Sequence, residues 1–434
     1  MKLVFSVLCG LLVLGLAAGP VLAGGIINKA NHSSDYIRTL NRYAATDGAD
    51  LAAYNPAGIM RMQDGSYAKV DLMYFAKDYS NTVPGFDELD QDTPSVIPTL
   101  FLVHKKEKWA GFFTFTVPAG GGKLDYEQGS ARTVALAQGV AQMANAQLAA
   151  NSVPSTYFYN QISDMSLKIN ASTVYGFTFG GSLAATEKVS FAAGIRYAKG
   201  KREFEGGATI SASEPTPVPP FPAVLNGPLT PELHLEEDAD SWSGLVGVNA
   251  ALTDKLNAAV TYITNAGMEY EMDVRKDTMG IAPALGFADG STRRIDIPGI
   301  VGAGVSYKFT PKLKVDANYA LYLEKSAEID TFDEYGNSSD LGFAVEYAFS
   351  PRFKGSVGYL LTDIKLDADQ QINEPEEPKL DANTFGAGFV FSPRPDWDIT
   401  FAGLVATYDD ATDDLDITYE KAVWNLSVGA QYRF

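Results

Sequence analysis

A period-two alternation of apolar and polar residues recurs along most of this chain, and it restricts the possible folds more than any other feature. In the segment 420–434, every second residue is apolar or aromatic: Ala422, Trp424, Leu426, Val428, Ala430, Tyr432 and Phe434. Successive side chains of a strand point to opposite faces, so one face of this strand is apolar and the other is polar or small. A soluble sheet packed on a core would show the same pattern in a single strand. Its recurrence in strand after strand favours a transmembrane barrel, whose strands meet lipid on one side and a lumen on the other.

The same alternation marks fourteen candidate strands. They span 66–75, 96–105, 108–117, 169–184, 187–205, 240–253, 255–271, 296–309, 312–328, 339–350, 352–367, 380–392, 397–409 and 420–434. Short links such as Lys106-Glu107 and Thr310-Pro311 alternate with long connections such as 118–168. Short turns at one end and long loops at the other are typical of outer-membrane barrels. The sequence therefore predicts an all-β membrane protein, a 14-stranded antiparallel transmembrane β-barrel.

The first residues predict export. Lys2 precedes an almost wholly apolar stretch, residues 3–18, and Val21-Leu22-Ala23 offers a small-residue cleavage site. A membrane anchor is disfavoured because the apolar run is shorter than the roughly 20 residues that a spanning helix needs. We expect a signal peptide over residues 1–23, cleaved near Ala23, and a mature chain in the bacterial outer membrane.

Composition and motifs argue against several function classes. The formal net charge of −19 argues against a nucleic-acid partner. The only cysteine, Cys9, lies in the apolar stretch, which excludes a disulfide framework in the exported chain. No histidine of the three has a partner at metal-ligand spacing, and no Ser-His-acid set or nucleotide motif is present. We expect no enzyme, no cofactor and no metal, and we interpret the acidic clusters as solvated loops, with cation binding as the less favoured alternative.

Residues 24–65 lack the alternation and predict a different structure. Ser33-Ser34-Asp35 can cap a short helix that runs to about Tyr43, and residues 47–54 can form another. Asn55-Pro56-Ala57-Gly58 then predicts a turn. Glycines with inward parity would leave room for this segment in the lumen, or would serve barrel curvature: Gly302, Gly304, Gly342, Gly386, Gly388 and Gly429. We predict a small N-terminal α-helical hatch, residues 24–65, that plugs the lumen of a barrel formed by residues 66–434.

Two long connections have a distinctive composition. Residues 128–151 are rich in Ala and Gln, with apolar residues at spacings of four, which predicts an amphipathic helix. Residues 214–231 hold seven prolines and predict a stiff, non-strand segment. We predict a surface that captures a hydrophobic ligand, formed by Leu136, Val140, Met143 and Leu148 on the helix with Phe221 opposite. The same apolar stripe would equally well attach the helix to the barrel rim.

In the hatch, the chain resembles the FadL family of outer-membrane transporters for long-chain fatty acids and other hydrophobic compounds. The segments that carry the resemblance are Leu40-Asn41-Arg42-Tyr43-Ala44, Ala49-Asp50 and Asn55-Pro56-Ala57. Residues 190–199 are similar to the family's fifth strand, and residues 296–299 to the segment that opens its eighth. The resemblance implies that ligand is captured at extracellular loops and binds in the lumen. A shift of the hatch would then release it sideways through a gap in the wall.

The resemblance and the parity together suggest site residues. Asn55, Pro56, Ala57 and Gly58 would position the hatch. Apolar residues with inward parity would form the lumen pocket or pack against the hatch: Phe112, Leu245, Leu360, Val390 and Leu404. Arg196 and Lys199 would meet a carboxylate or solvate the rim. Near the seventh strand, where well-known family members carry basic and hydroxyl residues, this chain has residues 263–265, Ile-Thr-Asn, so a neutral aromatic hydrocarbon remains an alternative ligand.

The expected partners follow from this interpretation. They are a hydrophobic small molecule, the lipids and lipopolysaccharide of the outer membrane, and the barrel-assembly machinery through the C-terminal strand. We expect a monomer. The alternative function is a porin-like or surface-binding barrel without hydrophobic transport, and a barrel-embedded hydrolase is disfavoured because no nucleophile-histidine pair is evident.

Overall fold

Fourteen antiparallel strands close into a barrel in the computed structural model, which describes residues 24–214 and 227–434. In chain order, β1 to β14 span Gly65–Thr82, Ser95–Lys106, Trp109–Ala119, Tyr159–Ala184, Val189–Ala212, Glu232–Ala251, Leu256–Ile263 with Glu269–Asp277, Ile300–Lys308, Leu313–Tyr322, Ser339–Ser350, Phe353–Asp363, Ala382–Arg394, Trp397–Tyr408 and Thr418–Arg433. β7 is thus interrupted, and its two segments both pair with β6. The ring closes where β1 pairs with β14, from Tyr67 opposite Arg433 to Thr82 opposite Thr418. The predicted strand number and closure are confirmed, whereas the expected signal peptide lies outside the described residues.

The barrel is apolar outside and polar inside. In β10, Leu341, Phe343 and Val345 are exposed, whereas Asp340 and Glu346 are buried. This distribution is the reverse of that in a soluble protein, and it suits a strand with lipid on its outer side and a filled lumen on its inner side.

Three neighbouring strands extend further than their alternation predicted. β4 begins at Tyr159, β5 ends at Ala212 and β6 begins at Glu232. The residues added to β6 carry charge on both faces: Glu237 is buried, while Glu236 points outward. Because charge stands on both faces, the clean alternation that identified the other strands is missing from this extension.

Helices, 3-10 turns and short strands complete the described structure. The α-helices are α1 (Ser34–Thr39), α2 (Leu51–Tyr54) and α3 (Ala131–Ala150), and the 3-10 turns are Pro56–Arg61, Ser155–Tyr157, Ala282–Leu285, Glu324–Ser326 and Ala368–Asn373. Short strands at Leu89–Gln91, Leu124–Tyr126, Thr292–Arg294 and Ala411–Thr412 extend the sheet locally. Among the described helices, none has the length and apolar character needed to span a bilayer. The helix predicted within 128–151 is confirmed as α3.

The residues of the predicted hatch fill the lumen. Ser33 caps α1, since its hydroxyl accepts a hydrogen bond from the Tyr36 N–H at 3.0 Å. α1 ends at Thr39, earlier than the predicted Tyr43, because Leu40 adopts a left-handed conformation with φ of 51°. Every residue of α1 is buried, and its apolar side chains pack against β11 and β13.

The inward glycines make this packing possible. A Cβ atom at Gly304 would lie 2.8 Å from the backbone nitrogen of Ala44, and one at Gly388 would lie 2.8 Å from the Cβ of Arg38. Added Cβ atoms at the other predicted positions would likewise meet residues 34–43: Gly302, Gly342, Gly386 and Gly429. The prediction that these glycines make room in the lumen is therefore confirmed.

Candidate functional site

An apolar groove lies beneath α3 among the extended ends of β4 to β7. Leu136 and Val140 of α3 form one side of it, and Phe204, Leu235 and Met272 line the other. The cavity measures about 90 Å³. The cavity is thus smaller than an engineered apolar cavity of ~150 Å³ that binds benzene. We call it the capture groove.

The predicted capture residues separate into three environments. Leu136 and Val140 line the capture groove. Leu148 is buried and packs with Tyr159 and Ile210 at the barrel rim, so the rim-attachment alternative holds for this residue. Met143 points to solvent with 38% of its surface exposed. Phe221 lies outside the described residues.

Below the groove, the loop between β11 and β12 folds into the lumen. We call residues 374–379, Glu-Pro-Glu-Glu-Pro-Lys, the inward loop. Glu376 accepts hydrogen bonds from Ser130 Oγ at 2.7 Å and from Arg132 Nη2 at 2.9 Å, and both donors lie at the start of α3. Glu374 pairs with Arg202 of β5 at 2.7 Å. The inward loop thus separates the capture groove from the hatch.

The charges of the inward loop are matched to their surroundings. Burial alone would raise the pKa of Glu374, but the positive charges of Arg202, Lys379 and Arg132 lower it to about 2. The carboxylate is therefore ionised at neutral pH. Nothing local in the sequence marks these glutamates as buried, because Arg202 and Arg132 lie far away along the chain. Our interpretation of the acidic clusters as solvated is wrong for Glu237 of the cluster 236–240, which is buried and pairs with Arg293 at 2.6 Å.

A second cavity, of about 40 Å³, lies in the lumen between the hatch and the wall. We call it the lumen pocket. Arg196 faces it with 6% of its surface exposed, and its Nε donates to Ser243 Oγ at 3.2 Å. Nη2 of Arg196 is buried and has no hydrogen-bond partner among the described residues. Burial, followed by the charge of Arg196, lowers the pKa of His32 in the same pocket to about 3, so this imidazole is neutral.

The other predicted lumen residues occupy different positions. Leu245 lines the lumen pocket. Phe112 packs in a cluster with Leu51 and Ile59 of the hatch. Leu360 and Leu404 pack against α1. Val390 is buried on the inner side of β12. Lys199 lies on the outer side of β5 and is exposed, so it does not face the lumen.

The barrel wall opens between β2 and β3. Their ladder ends at Leu100 opposite Phe115, although both strands continue beyond this pair. β3 turns away at a bulge between Thr116 and Ala119, where Pro118 offers no N–H to a ladder. Between residues 95–99 and 116–119, no ladder pairing exists in the described part of the chain.

The N-terminal end of the hatch covers this gap from inside. Asn28 forms an isolated bridge with Ala119, and Lys29 N donates to Pro118 O at 2.8 Å. On the other side of the gap, Thr99 Oγ1 donates to His32 O at 2.8 Å. We call residues 24–32 the N-terminal arm.

The Asn-Pro-Ala-Gly motif connects the hatch to the wall. The Asn55 amide donates to Ala45 O at 2.9 Å and to Asn249 Oδ1 at 3.0 Å, and its oxygen accepts from Gly58 N at 3.1 Å. The carbonyls of the next two residues, Pro56 and Ala57, accept hydrogen bonds from the serine hydroxyls of β4 and β5 at 2.6 Å and 2.7 Å. These contacts fix the motif to three strands.

His234 requires a correction, because the sequence indicated no ligand group near it. Its Nε2 lies 3.3 Å from Glu203 Oε1 and 3.9 Å from Glu236 Oε1 on the outer side of the extended strands. Lys201 and Arg275 contact the same carboxylates. The residues come from different strands, and only the pairing of β5 with β6 brings them together.

The architecture is similar to that of several solved structures. The structure aligns with that of a FadL homologue of Pseudomonas aeruginosa at a TM-score of 0.67 and 15% identity. The alignment covers 95% of this chain and 100% of the homologue. The chain has the FadL fold. The Pseudomonas putida toluene transporter TodX aligns over 90% of this chain and 96% of its own, with a TM-score of 0.61 and 15% identity. The Ralstonia pickettii toluene transporter TbuX aligns over 93% and 98%, with a TM-score of 0.61 and 14% identity.

Sequence comparison adds no further relative, since neither a family model nor a curated protein matches this chain. At these identities the structural neighbours establish the fold of this chain.

Proposed function

We propose that this protein takes up hydrophobic compounds across the bacterial outer membrane. The observation that carries the proposal is the arrangement, in one barrel, of an apolar capture groove, a lumen pocket and a gap in the wall that the N-terminal arm covers. In this scheme, ligand enters the groove, passes the inward loop into the lumen pocket and leaves through the gap into the membrane. Structural neighbours described as toluene transporters support a hydrophobic ligand.

The free energy of transfer from water favours release of a hydrophobic ligand sideways into the membrane. Each buried methylene contributes about 0.8 kcal/mol, so a sixteen-carbon chain gains roughly 12 kcal/mol at most on leaving water. A water-filled pore would oppose transport by that amount. Transfer between apolar sites, and from there into lipid, avoids the cost.

The N-terminal arm is the moving part in this proposal. The rest of the hatch is fixed by buried ion pairs, such as Arg42 with Asp50 at 2.7 Å, and by the contacts of Asn55. The arm has no such bidentate ion pair among the described residues and is held by single contacts, among them Ile26 N to Glu324 Oε1 at 3.0 Å and the Lys29 contacts. Asn55 to Gly58 therefore position the hatch while the arm shifts away from the gap.

We assign Arg196 to ligand selection, with long-chain fatty acids as the favoured ligands. A buried guanidinium N–H without a partner suits a carboxylate, and a charge-assisted hydrogen bond of this kind contributes about 1.5–3 kcal/mol. Arg196→Met should reduce fatty-acid uptake by roughly tenfold or more and leave toluene uptake unchanged. Uptake of radiolabelled palmitate and toluene measures both. Equal loss of the two would show that Arg196 supports the pocket and does not select the ligand.

A polar substitution in the capture groove tests the transport function itself. Val140→Asp places a charge among the apolar groove residues, and it should reduce uptake of palmitate and of toluene by roughly tenfold or more in cells expressing the protein. Met143→Asp, on the solvent-exposed side of the same helix, serves as the matched control and should transport normally. Large steady ion conductance of the purified wild-type protein, together with uptake that does not respond to Val140→Asp, would instead support the porin-like alternative.

We also propose that the protein resides in the outer membrane, with lipid and lipopolysaccharide against its apolar outer face. The C-terminal strand β14, whose outward residues Trp424 and Leu426 are exposed, would be the segment that the barrel-assembly machinery binds.

A further inference from the structure

Four lysines gather in the upper lumen around the inward loop. Glu377 of the loop pairs with Lys29 of the N-terminal arm at 2.7 Å and with Lys379 at 3.4 Å. The same Lys379 lies 3.5 Å from Glu374. One carboxylate of the inward loop thus contacts the segment that covers the wall gap.

The other two lysines have no acidic partner. Lys77 is 1% exposed, and its Nζ donates to the carbonyls of Gly121 at 3.1 Å and Lys123 at 2.8 Å. Lys421 Nζ donates to Pro378 O at 3.0 Å and lies about 5 Å from two tyrosine rings, 5.0 Å from Tyr79 and 4.9 Å from Tyr408. Neither ammonium has a carboxylate within 4.0 Å among the described residues.

The upper lumen therefore holds two buried lysine amines that lack a carboxylate partner. Lys29 and Lys379 contact Glu377, and Glu374 is shared between Lys379 and Arg202. Burial would raise the pKa of Glu377, but the charges of Lys29, Lys379 and Lys421 hold it well below its usual range. A ligand carboxylate that enters here would meet two lysine amines, Lys77 and Lys421, which otherwise donate to backbone carbonyls.

Lys29 connects this cluster to the exit. Its side chain contacts Glu377, while its backbone N–H donates to Pro118 at the edge of the wall gap. Lys29 lines the lumen pocket as well as two other cavities in the upper lumen, of about 40 and 30 Å³. A change at its ammonium group therefore acts directly on the segment that covers the gap.

We propose that Glu377 is an internal substitute for the ligand's head group, so that an incoming long-chain carboxylate displaces Glu377 from Lys29. The exchange separates the N-terminal arm from the inward loop and frees the arm to leave the gap. This inference rests on the proposed uptake function and assigns a binding site and a ligand class to the upper lumen. Arg196 lines the lumen pocket, which Lys29 also borders, whereas the side chain of Lys29 is paired with Glu377 of the inward loop.

The exchange requires little energy because one carboxylate replaces another. At no stage is Lys29 left buried without a counter-ion, which would otherwise cost several kcal/mol. A neutral ligand cannot replace Glu377 in this way, so hexadecanol should bind without displacing the inward loop.

The test compares palmitate with hexadecanol, which has the same chain length but no charge. Glu377→Gln removes the competing carboxylate from the full-length protein in detergent. It should raise the affinity for radiolabelled palmitate by roughly tenfold, because the free site no longer has to be vacated, and leave hexadecanol affinity unchanged. Glu88→Gln, in an exposed extracellular loop, is the matched control and should change neither affinity.

A second variant keeps the test informative if the first disturbs folding. Lys29→Met removes the cation on which the exchange occurs, so palmitate affinity should fall by roughly tenfold while hexadecanol affinity stays constant. If Glu377→Gln and Lys29→Met change the two affinities equally, or not at all, the exchange is wrong. If the wild-type protein binds neither compound, it is the proposed uptake function that fails.

Discussion

A disulfide between positions 28 and 119 should abolish uptake, and its reduction should restore it. Asn28 and Ala119 face each other in an isolated antiparallel bridge across the edge of the wall gap. Residues paired in this way have Cα atoms about 4.5–5.5 Å apart, which lies within the range that a disulfide tolerates. Asn28→Cys with Ala119→Cys would therefore hold the N-terminal arm over the gap, and ligand in the lumen pocket would have no exit into the membrane.

The cysteine content of the sequence suits this experiment. The chain has one cysteine, Cys9, within the segment that we expect to be removed on export, so no native thiol competes. Uptake of radiolabelled palmitate would be measured in oxidised cells and again after treatment with a reductant, with an expected recovery to the wild-type rate. Val357→Cys with Ala387→Cys serves as the control, because this pair joins two adjacent wall strands far from the arm and should not affect uptake.

Unchanged uptake by the fully oxidised 28–119 variant would contradict the proposed exit route. The ligand would then leave the barrel without movement of the arm. Mass spectrometry of the non-reduced protein establishes whether the disulfide has formed, so this result cannot be confused with incomplete oxidation.

The barrel could be predicted closely from the sequence because the alternation that identifies each strand is a pattern of neighbouring residues. Lipid on one side of a strand and packed polar groups on the other impose a period of two, as in the stretch from Leu341 to Phe349. The prediction of strand ends failed where the two faces of a strand no longer differ in polarity. The extension of β6 carries Glu236 on its outer face and Glu237 on its inner face, so its sequence resembles a polar loop.

The candidate site was less predictable because its contacts join distant parts of the chain. Parity alone identified Arg196 as inward-facing, whereas Lys199, proposed from the family resemblance, has outward parity and lies outside. No feature of the sequence predicted the inward loop. Glu376 and Glu377 resemble solvated acids, because their partners Arg132 and Lys29 are 244 and 348 residues away along the chain and meet them only on folding. Pro118 was visible in the sequence, but nothing local indicates that the ladder to β2 ends before it.

Replacing Arg42 with methionine should release the hatch from the lumen while the barrel remains folded. Arg42 forms a bidentate ion pair with Asp50, with Nε to Oδ2 at 2.9 Å and Nη2 to Oδ1 at 2.7 Å, and both residues are almost fully buried. Without the guanidinium, Asp50 retains the hydroxyl of Ser33 but no cation. Leaving one partner of a buried pair uncompensated costs about 3–5 kcal/mol. This corresponds to a shift of roughly 10²-fold to several thousandfold towards the undocked hatch.

Three measurements distinguish this outcome from general destabilisation. Ion conductance of Arg42→Met in planar bilayers should rise well above the low conductance that we expect of the plugged wild type, trypsin should cleave at Lys29 and Arg38, and the β-sheet circular dichroism should be retained. Arg61→Met provides the control, because Arg61 lies on the same segment but is exposed and should behave like wild type. Adding Asp50→Leu to Arg42→Met removes the orphaned carboxylate and should lower conductance again, since a buried pair replaced as a unit costs far less than a broken one. Failure of this rescue would mean that Arg42 holds the hatch through packing and Asp47 and not through Asp50.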